Sequence, residues 1–156
     1  YREYVEDGNL YVVIAGAHLA KGDKAAAAAE LERYAVAGGK DPENLKRLAA
    51  LYEDLGRPEE AIRALSRINY IYPKDEDLHR RLGQLLLAKG DAEGAIREYQ
   101  ALVAMQPLDQ AACRYGLAAA YRLANRREEA REQVLLALEA APGYRPAQKL
   151  LLELSQ

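Results

Sequence analysis

Glycines stand at positions 22, 56 and 90, alanines at 27, 61 and 95, and Pro73 is followed by Pro107, so that three kinds of landmark share a spacing of 34 residues. Self-similarity at this interval restricts the chain to a row of like supersecondary units, none of which can bury its apolar face alone. The clearest copy runs from Asp41 to Lys74, DPENLKRLAALYEDLGRPEEAIRALSRINYIYPK. Asp41 is a suitable N-cap, and Pro42 fits the first helical position, where its missing N–H costs nothing. Leu45, Leu48, Ala49 and Tyr52 then fall on one helical stripe. Gly56 supplies the left-handed residue that ends this helix, and Pro58 opens a second one carrying Ala61, Ile62, Leu65 and Ile68. Pro73 stops it.

The other copies keep this physics with different residues. The first has Tyr11, Ile14, Ala15 and His18, then Gly22, Ala27, Leu31 and Tyr34, and it stops at Gly38-Gly39 instead of proline. The third has His79, Leu82, Gly83 and Leu86, then Gly90, Ala95, Tyr99, Leu102 and Pro107. The fourth has Leu117, Ala118, Tyr121, Asn125, Ala130, Val134, Ala137 and Pro142. Its alanine and proline come 35 residues after their counterparts, which places a gained residue in the Leu108–Gln110 connection. Asn125 stands where glycine is expected, and asparagine is the residue that best replaces glycine in a left-handed conformation.

The alanine column (Ala27, Ala61, Ala95, Ala130) marks where two helices approach closely, and Leu31, Leu65, Tyr99 and Val134 fill the space one turn later. The repeats therefore run over residues 8–41, 42–75, 76–110 and 111–144. Residues 145–156 form a last helix, with Gln148, Leu151 and Leu152 expected to cover the fourth repeat while Lys149 and Glu153 face water. Residues 1–7 sit where the end of a preceding helix, or a linker, would fall. A chain beginning at Tyr1 without a methionine is expected to be a piece of a longer or processed protein.

These residues resemble the tetratricopeptide repeat. Tyr52, Ala61 and Pro73 carry the likeness, as do Leu82, Gly83, Ala95, Tyr99 and Pro107, and then Leu117, Ala118, Tyr121, Ala130, Ala137 and Pro142. The departures are Gly39 for proline, Asn125 for glycine, and Arg114 in the first bulky position of the fourth repeat. The resemblance implies an all-α fold, a right-handed α-solenoid of antiparallel helix hairpins. It also implies a concave groove, lined by the first helix of each hairpin, in which an extended peptide or a partner helix docks.

Chemistry is hard to find. There is no phosphate-binding glycine loop, since Gly38-Gly39-Lys40 is followed by Asp41 and lacks the upstream glycine, and H-E-x-x-H and C-x-x-C are absent. His18 and His79 occupy core-edge columns and read as packed imidazoles. Cys113, the single cysteine, reads as a small packed residue, and one cysteine excludes an internal disulfide. The acid pairs Glu59-Glu60 and Glu128-Glu129 complement helix dipoles. No cofactor, metal or catalytic residue is expected, and the chain is read as a non-enzyme.

At 100° per residue, the side of each first helix opposite its core stripe carries Val12, Gly16 and Leu19; Lys46, Ala50 and Glu53; Arg80, Gln84 and Leu87; and Tyr115, Ala119 and Arg122, with Arg47 and Arg81 on the shoulder. The middle row is small, and the upper row is basic or aromatic. The expected ligand is another polypeptide with an acidic or carboxylate-bearing segment, held by arginine forks and a tyrosine platform. The bland reading of the same cations is helix ion pairing, Glu43 with Lys46 and Asp77 with Arg80. The two-carboxylate clamp known in the family needs asparagine where Ala50 and Gln84 stand, and it is not carried over.

The leading expectation is a protein–protein interaction scaffold. The alternative is a non-catalytic appendage of an enzyme, similar to repeats at the ends of larger bacterial proteins. Binding of single-stranded RNA is less favoured, because a net charge of -2 gives no pull toward nucleic acid. The apolar run from Tyr11 to Ala20, interrupted by His18, is about half a membrane span, so a soluble chain, cytoplasmic or periplasmic, is expected.

Overall fold

The structure, a computed structural model, describes residues 9–155. The expectation for residues 1–7 lies outside them. Among the described residues there are nine helices and no strand: α1 (Leu10–Ala20), α2 (Lys24–Val36), α3 (Pro42–Asp54), α4 (Pro58–Ile71), α5 (Glu76–Lys89), α6 (Ala92–Ala104), α7 (Gln110–Leu123), α8 (Arg127–Ala140) and α9 (Arg145–Leu154). They fall into two compact units, Tyr1–Pro73 with α1–α4 and Lys74–Gln156 with α5–α9.

Each hairpin turn closes in the same way. Gly22, Gly56, Gly90 and Asn125 have φ of 77°, 69°, 85° and 58°. The residue after each donates its N–H back to the carbonyl five residues earlier: Asp23 to His18, Arg57 to Tyr52, Asp91 to Leu86, and Arg126 to Tyr121, at 2.8–2.9 Å. This pattern satisfies helix-terminal carbonyls only if the penultimate residue is left-handed, which is why asparagine could replace glycine at position 125 but a branched residue could not.

The start of each second helix alternates between two devices. Asp23 and Asp91 are N-caps whose carboxylates accept from the N–H of Ala26 and Gly94, both at 2.9 Å. Arg57 and Arg126 hold the equivalent positions and cap nothing. Their guanidiniums instead lie over the rings of Tyr52 and Tyr121, 4.8 and 4.7 Å from the centroids, and donate to Glu60 and Glu129. That pairing raises both arginines and lowers both glutamates from their ordinary pKa values, with the side-chain hydrogen bond as the leading cause for each arginine and for Glu60, and the backbone hydrogen bond for Glu129. Each unit therefore joins one Asp-capped hairpin to one Arg-clamped hairpin.

The alanine column is fully buried, Ala27, Ala61, Ala95 and Ala130 each having no exposed surface. In the first unit Glu32 of α2 ties two further helices, accepting from Tyr52 Oη at 3.1 Å and from Arg67 Nη1 at 3.4 Å. In the second unit the ring of Tyr99 lies between two glycines. A Cβ on Gly83 would come within 2.7 Å of it, and one on Gly116 within 2.2 Å.

Two expectations require correction. The gained residue of the fourth repeat is not in the Leu108–Gln110 connection. The capping carboxylates Asp41, Asp75 and Asp109 keep the 34-residue spacing, whereas the left-handed residues shift from Gly90 to Asn125, so the insertion is inside α7. One extra residue rotates a helix face by about 100°, and α7 accordingly buries a broad strip that includes both Gly116-Leu117-Ala118 and Ala120-Tyr121. The second correction concerns α9, which buries Ala147, Leu150 and Leu154 and leaves Gln148 and Leu152 exposed. A run of three leucines fits either of two adjacent stripes, and the small Ala147 decides which one can approach α8.

Candidate functional site

In the first unit, Val12 on α1 is half-buried and Gly16 exposed. On α3, Lys46 is held 3.7 Å from Glu43, Arg47 is exposed, and Ala50 and Glu53 are half-buried. The ion pair expected between Glu43 and Lys46 is present.

In the second unit the first helices are neighbours, α5 touching α7 and α7 touching α9. Arg80 makes no ion pair with Asp77. Its Nη1 points across to α7 and donates to Cys113 Sγ at 3.5 Å. Cys113 is fully buried; burial pushes its thiol up, with Arg80 opposing. The thiol stays protonated at neutral pH and serves packing. Arg81 is half-buried and Gln84 exposed. Tyr115 meets Tyr144 edge to face, with centroids 5.8 Å apart and planes at 73°. Burial, with Asp109 next in weight, raises the Tyr144 phenol. Ala119 is half-buried, and Arg122 is exposed and ion-paired with Glu153 of α9.

Beyond Tyr115 an open cleft of 420 Å³ lies between α7 and α9, and it is lined by Arg122, Arg145, Lys149 and Glu153 among others. Arg145 and Lys149 are exposed, one helical turn apart, and make no ion pair among the described residues. Sequence reasoning missed both, because it ended the basic strip at Arg122 and assigned Lys149 only to solvent. Three cations against one carboxylate, beside an aromatic edge, give the cleft a chemistry that suits an anionic group.

His79 is buried, with Nδ1 2.7 Å from Glu98 Oε2, an internal contact between α5 and α6. Among the described residues no group of three or more His, Cys, Asp or Glu is placed to hold a metal ion. No helix among them is long and apolar enough to cross a membrane.

Repeated antiparallel hairpins with alanine-lined closures and left-handed turns define a helical-repeat protein of the solenoid class. Two models of the tetratricopeptide repeat family match the chain, one over residues 42–85 and one over residues 80–145. The chain belongs to the tetratricopeptide repeat family. Among solved structures, MamA (residues 41 to the end) from Desulfovibrio magneticus RS-1 is similar with a TM-score of 0.74 and 25% identity, over 93% of this chain and 81% of that one. Another MamA crystal structure gives 0.73 and 22% over 88% and 80%. YrrB, described as a TPR protein with an unusual peptide-binding site, gives 0.71 and 21% over 89% and 71%. No curated protein matches the sequence significantly.

Proposed function

We propose that the chain is a non-catalytic interaction module that holds an acidic segment of another polypeptide against the faces of its first helices. The observation that carries this reading is the open cleft between α7 and α9, where Arg122, Arg145 and Lys149 outnumber Glu153 and no side chain of the described residues fills the space. Within the second unit Gln84, Ala119, Arg80 and Arg81 add exposed, small or basic residues on α5 and α7, and in the first unit Val12, Lys46, Arg47 and Ala50 stand on the corresponding first helices α1 and α3. Arginine forks and a lysine recognise carboxylates, and the Tyr115 edge offers an apolar platform for the side chain between them. YrrB is an instance of this fold with a peptide-binding site, which supports a polypeptide over a small molecule as the guest.

The test uses fluorescently labelled 12-residue peptides rich in Asp and Glu, read by anisotropy. Arg145→Glu with Lys149→Glu should weaken binding by about tenfold or more, since close charge pairs at interfaces carry energies of that order. Lys46→Glu with Arg80→Glu should weaken it as well, with helicity retained. Unchanged affinity in both variants would remove the first-helix faces from the binding surface.

A further inference from the structure

The first unit carries a second recess on the opposite set of helices. It lies between α2 and α4, has a volume of 800 Å³, and reaches down to Leu45, Ile62 and Ile71. Tyr70, 92% exposed, forms one wall. Its charged lining residues are Lys40, Arg63 and Arg67, with no carboxylate among those that line it. Lys40 has no ion pair among the described residues, Arg63 is 3.9 Å from Glu60, and Arg67 is 3.4 Å from Glu32.

The equivalent recess of the second unit, between α6 and α8, is smaller at 540 Å³ and different in kind. Where the first unit has Leu45 on the floor, the second has Arg114, donating to Gln133 at 3.1 Å. Where the first has Tyr70, the second has Glu139, and Gln106 replaces the bare Gly38. The apolar trough is therefore a property of these side chains and not of the hairpin stack. The Gly38-Gly39 departure from proline contributes directly. Gly39 backs onto the Tyr34 ring so closely that even a Cβ would fall 2.4 Å from it, and the loop leaves uncovered backbone at the end of the trough.

We infer that this trough is a docking site for a short amphipathic helix with acidic flanks, separate from the first-helix faces. The span from Ile62 to Ile71 along α4 is about 14 Å, enough for some nine residues of helix at 1.5 Å each. A helix satisfies its own backbone, so it can enter an apolar trough whose walls, α2 and α4, have no free ladder of N–H and C=O groups to offer an extended chain. Its apolar stripe would lie over Ile62 and Ile71 against the Tyr70 wall. Glutamates on its two shoulders would meet Lys40 on one side and Arg63 and Arg67 on the other.

The probe is a fluorescein-labelled 14-residue peptide with leucines at helical spacing and glutamates on both flanks, titrated against the whole chain by anisotropy. Saturable binding is expected, with Kd on the order of 10 μM. Ser66→Glu, which places a like charge inside the trough, and Lys40→Glu with Arg63→Glu should each weaken it about tenfold or more. A peptide of the same composition with a central proline, which cannot stay helical, should bind at least about tenfold more weakly. Arg145→Glu with Lys149→Glu should leave the affinity unchanged. All these positions are exposed, and melting curves check that the variants fold. Absence of saturable binding, equal binding of the proline peptide, insensitivity to Ser66→Glu, or loss of binding in the Arg145 and Lys149 variant would each overturn the inference. The last of these would instead favour the first-helix cleft.

Discussion

The two units pack the same column of the hairpin with different volumes. In the first, Leu65 and Ala49 are both fully buried. In the second, the positions 34 residues on are Tyr99 and Gly83, and a further glycine, Gly116, takes the other side of the tyrosine ring. The larger side chain is matched by a smaller partner, so the space between helices stays filled and the backbones stay at packing distance. The rims of the recesses between second helices show no such exchange: exposed Tyr70 in the first unit gives way to exposed Glu139 in the second, and no neighbour among the described residues is fitted to either ring or carboxylate. Paired change marks positions the fold constrains, and unpaired change marks surface left open to a partner.

The largest effect should come from emptying the Tyr99 site. Tyr99→Ala leaves two glycines facing a void and should cost about 3–5 kcal/mol, read as a large drop in melting temperature by circular dichroism. The reverse change is a clash. Gly116→Ala puts a methyl within 2.2 Å of a buried ring and should cost about 1–3 kcal/mol. Adding Tyr99→Leu, the residue type the first unit uses, should recover most of that loss. If the double variant were no more stable than Gly116→Ala alone, the volume exchange between units would be an accident of composition.

Alkaline pH probes a related contrast. The phenols of Tyr52 and Tyr99 are both pushed up to about 12, chiefly by burial, with Glu32 the next influence on Tyr52 and Cys113 the next on Tyr99. A raised folded-state pKa means that the native state resists losing the proton. Its stability is complete below the unfolded tyrosine value near pH 10 and declines as pH rises toward 12. Melting temperatures measured from pH 7 to 12 should stay flat and then fall, and Tyr52→Phe or Tyr99→Phe should make the fall shallower.

Much of this fold was legible because its signals are backbone signals at fixed spacing. Left-handed turns demand glycine or asparagine, and close helix crossings demand alanine, so Gly22, Gly56, Gly90, Asn125 and the alanine column fixed the hairpins before any coordinate. The insertion in α7 was legible only as a one-residue shift, since an extra residue inside a helix leaves no turn or proline to mark it. The face of α9 was ambiguous because Leu150, Leu151 and Leu152 satisfy two stripes at once. On the candidate site, helical phase places Arg80, Gln84, Tyr115 and Arg122 on one side of α5 and α7. It could not show that Arg80 turns toward Cys113, or that Arg145 and Lys149 line a cleft, because those depend on how long side chains cross between helices. The α2–α4 trough was invisible for the same reason, being assembled from residues up to 36 positions apart.

Asn44 offers a mid-sized test. It is buried at 4% exposure and its Nδ2 has no hydrogen-bond partner, whereas the second unit has Leu78 in the same column. A buried donor left unsatisfied costs about 1–3 kcal/mol, so Asn44→Leu should raise the melting temperature, by an amount worth about 1 kcal/mol once the imperfect fit is counted. A fall in stability would mean that the amide contributes a contact that leucine cannot reproduce, and that the two columns are not interchangeable.

The smallest effect has the opposite sign from its counterpart in the core. Gly16, in the interior of α1, has no atom within 4 Å of where a Cβ would stand, while Gly116 has the Tyr99 ring there. A glycine in open space inside a helix gives up backbone entropy for no packing benefit, so Gly16→Ala should stabilise the chain by about 0.5–1 kcal/mol. Gly16 also lies on the face of α1 that the proposed partner would cover, in the row shared by Ala50 and Ala119. If Gly16→Ala raises the melting temperature and weakens binding of the acidic peptide, the glycine is kept for the guest and not for the fold. If it raises the melting temperature with no effect on binding, the small middle row plays no part in recognition, and the partner surface reduces to the α7–α9 cleft.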